Sequence, residues 1–173
     1  MANTMLKHTG LNIGKSVYEN NCESLIKEIL ENSSKYNCKI TCPLDVVVSK
    51  NLEGIGKNKN LNEIDKDDIV LDIGPKTIAS IKKIINNTNT VLWNGPAGYF
   101  ENPNFQNGTK QILEIIDQKT KSDSIFSVAG GGETVAAINK FNKLNSLTFV
   151  STAGGAFLEY LEGKDLPGIK ALN

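Results

Sequence analysis

The chain has 173 residues, of which 39% are hydrophobic and 22% are charged, and its 19 basic residues balance its 19 acidic residues. A zero net charge gives no overall attraction to nucleic acid or to an anionic membrane surface, so we expect neither as a partner. A chain of this length corresponds to about one domain, and we predict that residues 1–173 form a single domain with its own core.

All 19 basic residues are lysines. Sites that hold phosphate or carboxylate groups through two parallel hydrogen bonds usually rely on the planar guanidinium of arginine, which lysine does not reproduce. Any phosphate site in this chain is therefore expected to use backbone amides or lysine. His8 is the only histidine, which excludes histidine-based catalytic triads and metal sites built from several histidines.

The cysteines and the apolar runs indicate the cellular compartment. Cys22, Cys38 and Cys42 form no CxxC pair, and a disulfide between any two would leave one thiol over. This favours a reduced protein of the cytoplasm over a secreted one. No apolar run approaches the roughly 20 residues of a membrane helix, and the first residues do not form a signal peptide.

The first third of the chain predicts two helices and a strand. The first helix lies in "MANTMLKHTG" and the second in "ENNCESLIKEILENSS", where apolar residues recur at helical spacing. We expect that stripe, formed by Leu25, Ile26, Ile29 and Leu30, to face the core. "KITCPLDVVVS" predicts strand structure, and the polar segment "NLEGIGKNKNLNEIDKDD" is interpreted as a surface excursion.

From residue 69 onwards, strands and helices alternate regularly. The predicted strands are "IVLDIG", "TVLW", "SIFSVAG" and "LTFVST", and each is followed by a helical segment. Strands that are apolar almost throughout indicate a parallel sheet with helices on both faces. The expected fold is therefore an α/β, three-layer αβα arrangement around an open parallel sheet, which is Rossmann-like.

Glycine-rich turns follow all four predicted strands. They are Gly74-Pro75, Asn94-Gly95-Pro96, Gly130-Gly131-Gly132 and Gly154-Gly155. The carboxyl ends of parallel strands lie along one edge of a sheet, which is where ligands bind in such folds. Glycine lets the backbone approach a ligand closely, and helix amino termini attract anions. This pattern favours a nucleotide or phosphate site over plain connecting turns, although no turn matches a Walker A loop or a GxGxxG motif.

The motifs resemble those of phosphoglycerate kinase in order and spacing. The matching stretches are "MANTMLK…IGKS", "KITCPLDVVVS", "LDIGPKT", "VLWNGPAGYFE", "FQNGT", "VAGGGETVAAI" and "STAGGAFLEYLEGKDLPGIKAL". The resemblance runs from Met1 almost to Asn173. It implies a kinase of glycolysis that moves phosphate reversibly between 1,3-bisphosphoglycerate and ADP.

The resemblance also implies that much of the family's fold lies outside this chain. A complete phosphoglycerate kinase is more than twice as long, with an N-terminal domain for the phosphoglycerate and a C-terminal domain for the nucleotide. Residues 1–173 resemble most of the second domain without its first elements. Leu166, Ile169 and Leu172 resemble a segment that packs onto the other domain, so we expect an exposed apolar surface that supports self-association.

The resemblance assigns a nucleotide site to the glycine-rich turns. Asn94, Gly95, Pro96 and Ala97 are expected to line the ADP/ATP pocket, Glu101 to accept hydrogen bonds from ribose hydroxyls, and Gly74 to border the adenine. A surface glutamate that caps the next helix is the alternative for Glu101. The amides of Gly131, Gly132 and Thr134 are expected to face the phosphates.

Two further roles follow from the resemblance. Glu133 is the expected Mg²⁺ ligand, but the family commonly has aspartate there, and the glutamate carboxylate lies about 1.5 Å further out. Because magnesium requires near-ideal octahedral geometry, coordination through water is an alternative. The amides of Gly154 and Gly155 are the expected catalytic groups, which stabilise charge on the phosphoryl group in transfer.

The sequence leaves three hypotheses about function open. The chain is part of a phosphoglycerate kinase, a nucleotide-binding module without catalysis of its own, or a relic without a selected role. Phosphoglycerate or 1,3-bisphosphoglycerate is expected to bind only together with an N-terminal domain. The glycine-rich motifs favour the first two hypotheses, whereas the missing arginine disfavours catalysis by this chain alone.

Overall fold

The computed structural model describes residues 1–172, which form two three-stranded sheets and the helices around them. The strands are β1 (Asp45–Ser49), β2 (Lys57–Asn60), β3 (Ile69–Ile73), β4 (Thr90–Asn94), β5 (Phe126–Gly130) and β6 (Phe149–Val150). The helices are α1 (Ala2–His8), α2 (Glu23–Lys35), α3 (Pro75–Asn86), α4 (Asn107–Lys121), α5 (Gly132–Lys140), α6 (Gly155–Leu161) and α7 (Pro167–Lys170). Short 3₁₀ helices occupy Leu61–Glu63, Pro103–Phe105 and Leu144–Ser146.

The first sheet is antiparallel, with the order β2-β1-β3. Val46 and Val48 of β1 point into a small core that includes Ile64. The polar strand β2 forms an edge of this sheet within the segment that was interpreted as a surface excursion. The sequence of β2 alternates lysine and asparagine, so it contains no apolar residues that would predict a strand. The strand forms because its backbone pairs with β1 through hydrogen bonds.

The second sheet is parallel, with the order β4-β5-β6, and it confirms the α/β class. The expectation that all four late strands share one parallel sheet was wrong, because β3 pairs antiparallel with β1. The apolar pattern of a strand predicts its burial but does not identify its partner. The carboxyl end of β3 nevertheless joins the main core, since Ile73 packs in the same cluster as Trp93 of β4.

The main core lies on one face of the parallel sheet. Residues of α3, α4 and α5 pack there against Trp93 and Ala129. The opposite face carries Leu92, Phe126 and Phe149, which are 51%, 52% and 56% exposed. On that face, α6 approaches the sheet where the ring of Phe157 lies against Gly130. The parallel sheet therefore has one packed face and one largely open apolar face.

The apolar stripe predicted on α2 is mostly on the surface. Ile26 is buried, but Leu25, Ile29 and Leu30 are 53%, 39% and 41% exposed. The core-facing expectation was therefore wrong for three of these four residues. Helical periodicity identifies the apolar side of a helix, but not what covers it. Along residues 1–172, none of the helices combines the length and apolar character needed to cross a membrane.

Candidate functional site

The ends of β4 and β5 bring two of the glycine-rich turns together. Asn94, the last residue of β4, lies opposite Gly130, the last residue of β5. The next residue, Gly131, has φ +89°, and a Cβ atom there would lie 2.6 Å from Asn94 Oδ1. Both the backbone angle and the close approach require glycine at this position. The two motifs predicted to bind nucleotide are therefore in contact.

The 94–101 loop is held in place by its own backbone amides. The N–H of Gly95 donates to Thr134 Oγ1 at 2.6 Å, and the N–H of Ala97 donates to Thr109 Oγ1 at 3.0 Å. Both threonines are fully buried. The N–H of Tyr99 donates to the carbonyl of Leu71 at 2.7 Å. These three amides point into the protein, so they stabilise the loop and are not free to hold a phosphate.

Two helix amino termini near the sheet edge are closed by buried carboxylates. At α3, Asp45 accepts hydrogen bonds from the amides of Lys76 at 3.0 Å and Thr77 at 2.8 Å. At α4, Asp72 accepts a hydrogen bond from the amide of Gly108 at 2.8 Å. The side chains already supply the negative charge that a helix amino terminus attracts. Neither terminus has room for an external anion.

The amino terminus of α5 differs from these two. Within residues 1–172, no side chain accepts a hydrogen bond from the amides of Gly132, Glu133 or Thr134, although the N-terminal amides of a helix need external partners. Gly132 is exposed, and a Cβ atom built there would have no neighbouring atom within 4 Å. This helix end can therefore bind an anion without displacing a side chain of the protein.

Asp72 was missed by sequence reasoning and proves to be a buried group at the site. Burial raises the pKa of its carboxyl to about 6, although hydrogen bonds from the amides of Gly108, Ile73 and Asn107 act in the opposite direction. Cβ atoms at Gly98 and Gly108 would lie 2.4 and 2.3 Å from its Oδ1 atom. The available signal was an acidic residue inside the apolar strand "IVLDIG".

A cavity of about 550 Å³ lies where these elements meet. This volume is within the usual range for a small-molecule site. Five of the predicted site residues line it: Asn94, Gly95, Pro96, Ala97 and Glu133. Asp72 and Tyr99 also contribute to its wall. A larger surface cleft of about 710 Å³ lies along α1 and α2 and contains none of the predicted residues.

The other predicted site residues do not line this cavity. Gly131, Gly132 and Thr134 form the turn and first residues of α5, beside Asn94 and Gly95. Glu101 is exposed at the end of the 94–101 loop, outside the cavity lining. Gly74 is the N-cap of α3, where a Cβ atom would lie 2.3 Å from the Asp45 carboxyl carbon. Gly154 and Gly155 begin α6, and Gly154 has φ +58°.

Glu133 offers one exposed carboxylate to a metal ion at the cavity. Among residues 1–172, no group of three or more histidine, cysteine, aspartate or glutamate side chains is arranged to hold a metal. Mg²⁺ is commonly bound through one or two carboxylates together with substrate phosphates and water. The residues present therefore fit a magnesium ion that arrives with a nucleotide, and do not form a complete cage for a metal alone.

Comparison with known proteins gives one family. The family model described as "Phosphoglycerate kinase" matches residues 1–164. The chain is 45% identical over 174 residues to a phosphoglycerate kinase of Francisella philomiragia and 41% identical to one of Dinoroseobacter shibae. In each case 99% of this chain is aligned, with 43% and 44% of the relative. The chain thus spans less than half the length of these relatives.

Solved structures agree with the sequence comparison. A phosphoglycerate kinase from Coxiella burnetii matches with a TM-score of 0.92 at 39% identity, over 99% of this chain and 44% of that one. A phosphoglycerate kinase from Pyrococcus horikoshii matches with a TM-score of 0.72 at 29% identity, over 99% of this chain and 42% of that one. The fold and the motif resemblance therefore lead to the same family.

Proposed function

Because the chain belongs to the phosphoglycerate kinase family, we propose that it supplies the ADP/ATP site for phosphoryl transfer between 1,3-bisphosphoglycerate and ADP. The observation that carries the proposal is the uncapped amino terminus of α5 beside a 550 Å³ cavity. Neighbouring helices α3 and α4 have their termini closed by Asp45 and Asp72. The phosphates are therefore assigned to the amides of Gly132 and Glu133, which are exposed residues next to Gly131, whereas Thr134 is fully buried.

The remaining residues receive roles around that phosphate position. Asn94, Gly95, Pro96 and Ala97 form the wall of the nucleotide pocket, and they act through shape because the Gly95 and Ala97 amides are bonded internally. Gly74 is assigned to the adenine side and the exposed Glu101 carboxylate to the ribose hydroxyls. A charged acceptor of this kind contributes about 1.5–3 kcal/mol when it is hydrogen-bonded to a ligand.

Magnesium and the transferring phosphoryl group complete the proposal. Glu133 is the group that would hold Mg²⁺, directly or through water, and the ion would neutralise charge on the nucleotide phosphates. Gly154 and Gly155 open α6, and within residues 1–172 no side-chain hydrogen bond caps this helix start. We assign these amides to charge stabilisation during transfer, the part of catalysis that preorganised backbone donors perform.

The test removes one amide from the phosphate position. Proline fits the first residue of a helix, and Gly131, with φ +89° and ψ 139°, lies outside the α region that a following proline disfavours. Gly132→Pro should weaken ADP binding in calorimetric titration by about tenfold or more, the value of a charge-assisted hydrogen bond. Gly132→Ala is the matched control, because it keeps the amide and its Cβ meets no atom within 4 Å.

Adenosine provides the second arm of this test, since it has no phosphate. If the assignment holds, wild type and Gly132→Pro bind adenosine equally. Unchanged ADP affinity in Gly132→Pro would contradict the proposed phosphate position.

A further inference from the structure

Lys140 is the last residue of α5, at the end of the helix opposite the proposed phosphate position. Its Nζ atom donates to the carbonyl of Phe100 at 2.5 Å and to the carbonyl of Glu101 at 2.9 Å. The same atom lies 5.9 Å from the centre of the Phe100 ring, and that side chain is 5% exposed. The lysine therefore fixes the backbone at Glu101.

This use of a lysine differs from that of its neighbours. Lys143 pairs with Asp117, and Lys110 lies 3.9 Å from Glu114. Within residues 1–172, Lys140 has no carboxylate within 4.0 Å, so its charge is directed at two carbonyl oxygens of the 94–101 loop. Hydrogen bonds from a charged donor are roughly twice as strong as neutral ones. The contact therefore restrains the loop more firmly than a neutral side chain would.

Helix α5 holds the 94–101 loop at both ends. Thr134, in its first turn, accepts the amide of Gly95, and Lys140, in its last turn, donates to the carbonyls of Phe100 and Glu101. Lys140 lies six positions after Thr134 along the helix, which corresponds to a rise of about 9 Å. The distance between the free amides of α5 and the backbone of Glu101 is therefore set by one rigid element.

We propose that Lys140 is a positioning residue for ribose recognition. By holding the backbone of Glu101, it limits the positions that the Glu101 carboxylate reaches relative to phosphates at the α5 amino terminus, and the ribose hydroxyls of the bound nucleotide lie within that reach. The proposal rests on the proposed nucleotide site. It assigns no direct ligand contact to Lys140, which acts through Glu101.

The experiment compares ADP with 2′,3′-dideoxy-ADP by calorimetric titration. Lys140→Met should weaken ADP binding by about fivefold, because a misplaced acceptor loses part of a charge-assisted hydrogen bond, and should leave dideoxy-ADP binding unchanged. Glu101→Ala should show the same selectivity, and the double variant should lose no more than Glu101→Ala alone. Lys140→Arg keeps a donor for the carbonyls and should retain ADP affinity.

Lys110→Met is the matched control, since it removes a lysine that lines the same surface cleft as Lys140. It should bind both nucleotides like wild type. Thermal unfolding of each variant establishes that it is folded, and if Lys140→Met is not, the comparison is made with Lys140→Gln.

Two results would overturn the proposal. Equal losses for ADP and dideoxy-ADP in the Lys140 variant would show that it acts on something other than ribose. Additive losses in the double variant would show that it acts independently of Glu101. If Glu101→Ala itself does not distinguish the two nucleotides, the ribose assignment fails together with this inference, whereas the Gly132→Pro test of the phosphate position is unaffected.

Discussion

The candidate site contains buried side chains that hold its backbone in place and an exposed side chain that is available to a ligand. Thr134 and Thr109 are fully buried and hold the 94–101 loop, whereas Glu133 projects an exposed carboxylate at the cavity. Buried hydroxyls bonded to backbone amides are structural contacts, and an exposed acid beside free helix amides is available to a ligand. Glu133 is thus the residue at which a conservative change tests chemistry rather than folding.

We predict that Glu133→Asp tightens Mg²⁺-dependent ADP binding or leaves it unchanged. The shorter side chain restores the ligand length common in the family, and among residues 1–172 the Glu133 carboxylate makes no hydrogen bond that the change would break. ADP affinity measured with and without magnesium checks this prediction. A tenfold weakening confined to the magnesium condition would mean that the pocket is built around glutamate, and a weakening in both conditions would indicate a structural role.

The sequence predicted the residues of the 94–101 loop and the start of α5, but not their supports. The motifs "VLWNGPAGYFE" and "VAGGGETVAAI" contain the residues that meet at Asn94 and Gly131. Asp45 and Asp72, in contrast, bond to amides 31 to 36 residues further along the chain. A pairing at such a separation depends on the tertiary fold, and no local pattern in a single sequence specifies it.

At the level of elements, the helices differ in how their amino termini are satisfied. Helices α3 and α4 use carboxylates from the antiparallel sheet, and this contact joins that sheet to the helices on the parallel sheet. The existence of most strands and helices was predictable from apolar periodicity. The pairing of β3 with β1 was not, because strands of either sheet show the same apolar pattern.

The carboxylate that closes α4 should make stability depend on pH. The folded pKa of Asp72 is raised from its ordinary 3.8 to about 6, so between these values the folded chain holds a proton that the unfolded chain has lost. Wild-type stability relative to Asp72→Asn should therefore fall by about 2 to 3 kcal/mol as the pH rises from about 4 to 7. Urea unfolding of both proteins across this range measures the difference.

Asp117→Asn is the control for this pH dependence. Burial opposes ionisation of Asp117, but hydrogen bonds from Lys121, Lys143 and Ser146 outweigh it and hold the pKa at about 2. Asp117 thus contributes stability above its ordinary pKa that is lost only as the pH falls towards about 2. The difference in unfolding free energy between wild type and Asp117→Asn should stay constant between about pH 4 and 7. If this difference has the same pH dependence for Asp72→Asn and Asp117→Asn, the Asp72 argument is contradicted.

At the scale of the whole molecule, the chain carries the proposed nucleotide site but spans less than half the length of the relatives it matches. It aligns with 43% of the Francisella philomiragia relative, and none of its basic residues is arginine. We predict no measurable turnover by this polypeptide alone, because its lysines do not reproduce the paired hydrogen bonds by which arginine holds a carboxylate or a phosphate such as those of phosphoglycerate. Positioning of the reactants lowers the activation barrier of such reactions by about 7 to 11 kcal/mol, so catalysis without one substrate site should be too slow to measure.

A coupled assay with ATP and 3-phosphoglycerate checks this prediction. Addition of a separately expressed polypeptide containing the rest of a relative should restore some turnover. Robust activity of the purified chain without that addition would contradict the prediction.

The exposed apolar surfaces lead to a prediction about assembly. Near the end of the described chain, Ile169 and Leu172 are 41% and 87% exposed, and the open face of the parallel sheet carries further exposed apolar residues. We expect concentration-dependent self-association, because exposed apolar side chains favour burial against a second copy. Sedimentation velocity should show self-association of the wild type, and weaker self-association of an Ile169→Ser, Leu172→Ser double variant. A monomer at every concentration would contradict this expectation, and unchanged association of the double variant would assign it to another surface.

The internal hydrogen bonds of the 94–101 loop have a consequence for isotope labelling. The amides of Gly95, Ala97 and Tyr99 already donate within the protein, so their hydrogens should exchange slowly with deuterated solvent before any ligand is present. The amides of Gly132 and Glu133 lie on exposed residues at an uncapped helix start and should exchange fast. ADP should then slow the second pair and barely alter the first three, a pattern that NMR would resolve residue by residue. Ligand-induced protection confined to the loop amides would mean that the loop is mobile in solution and becomes ordered only when it closes on its ligand.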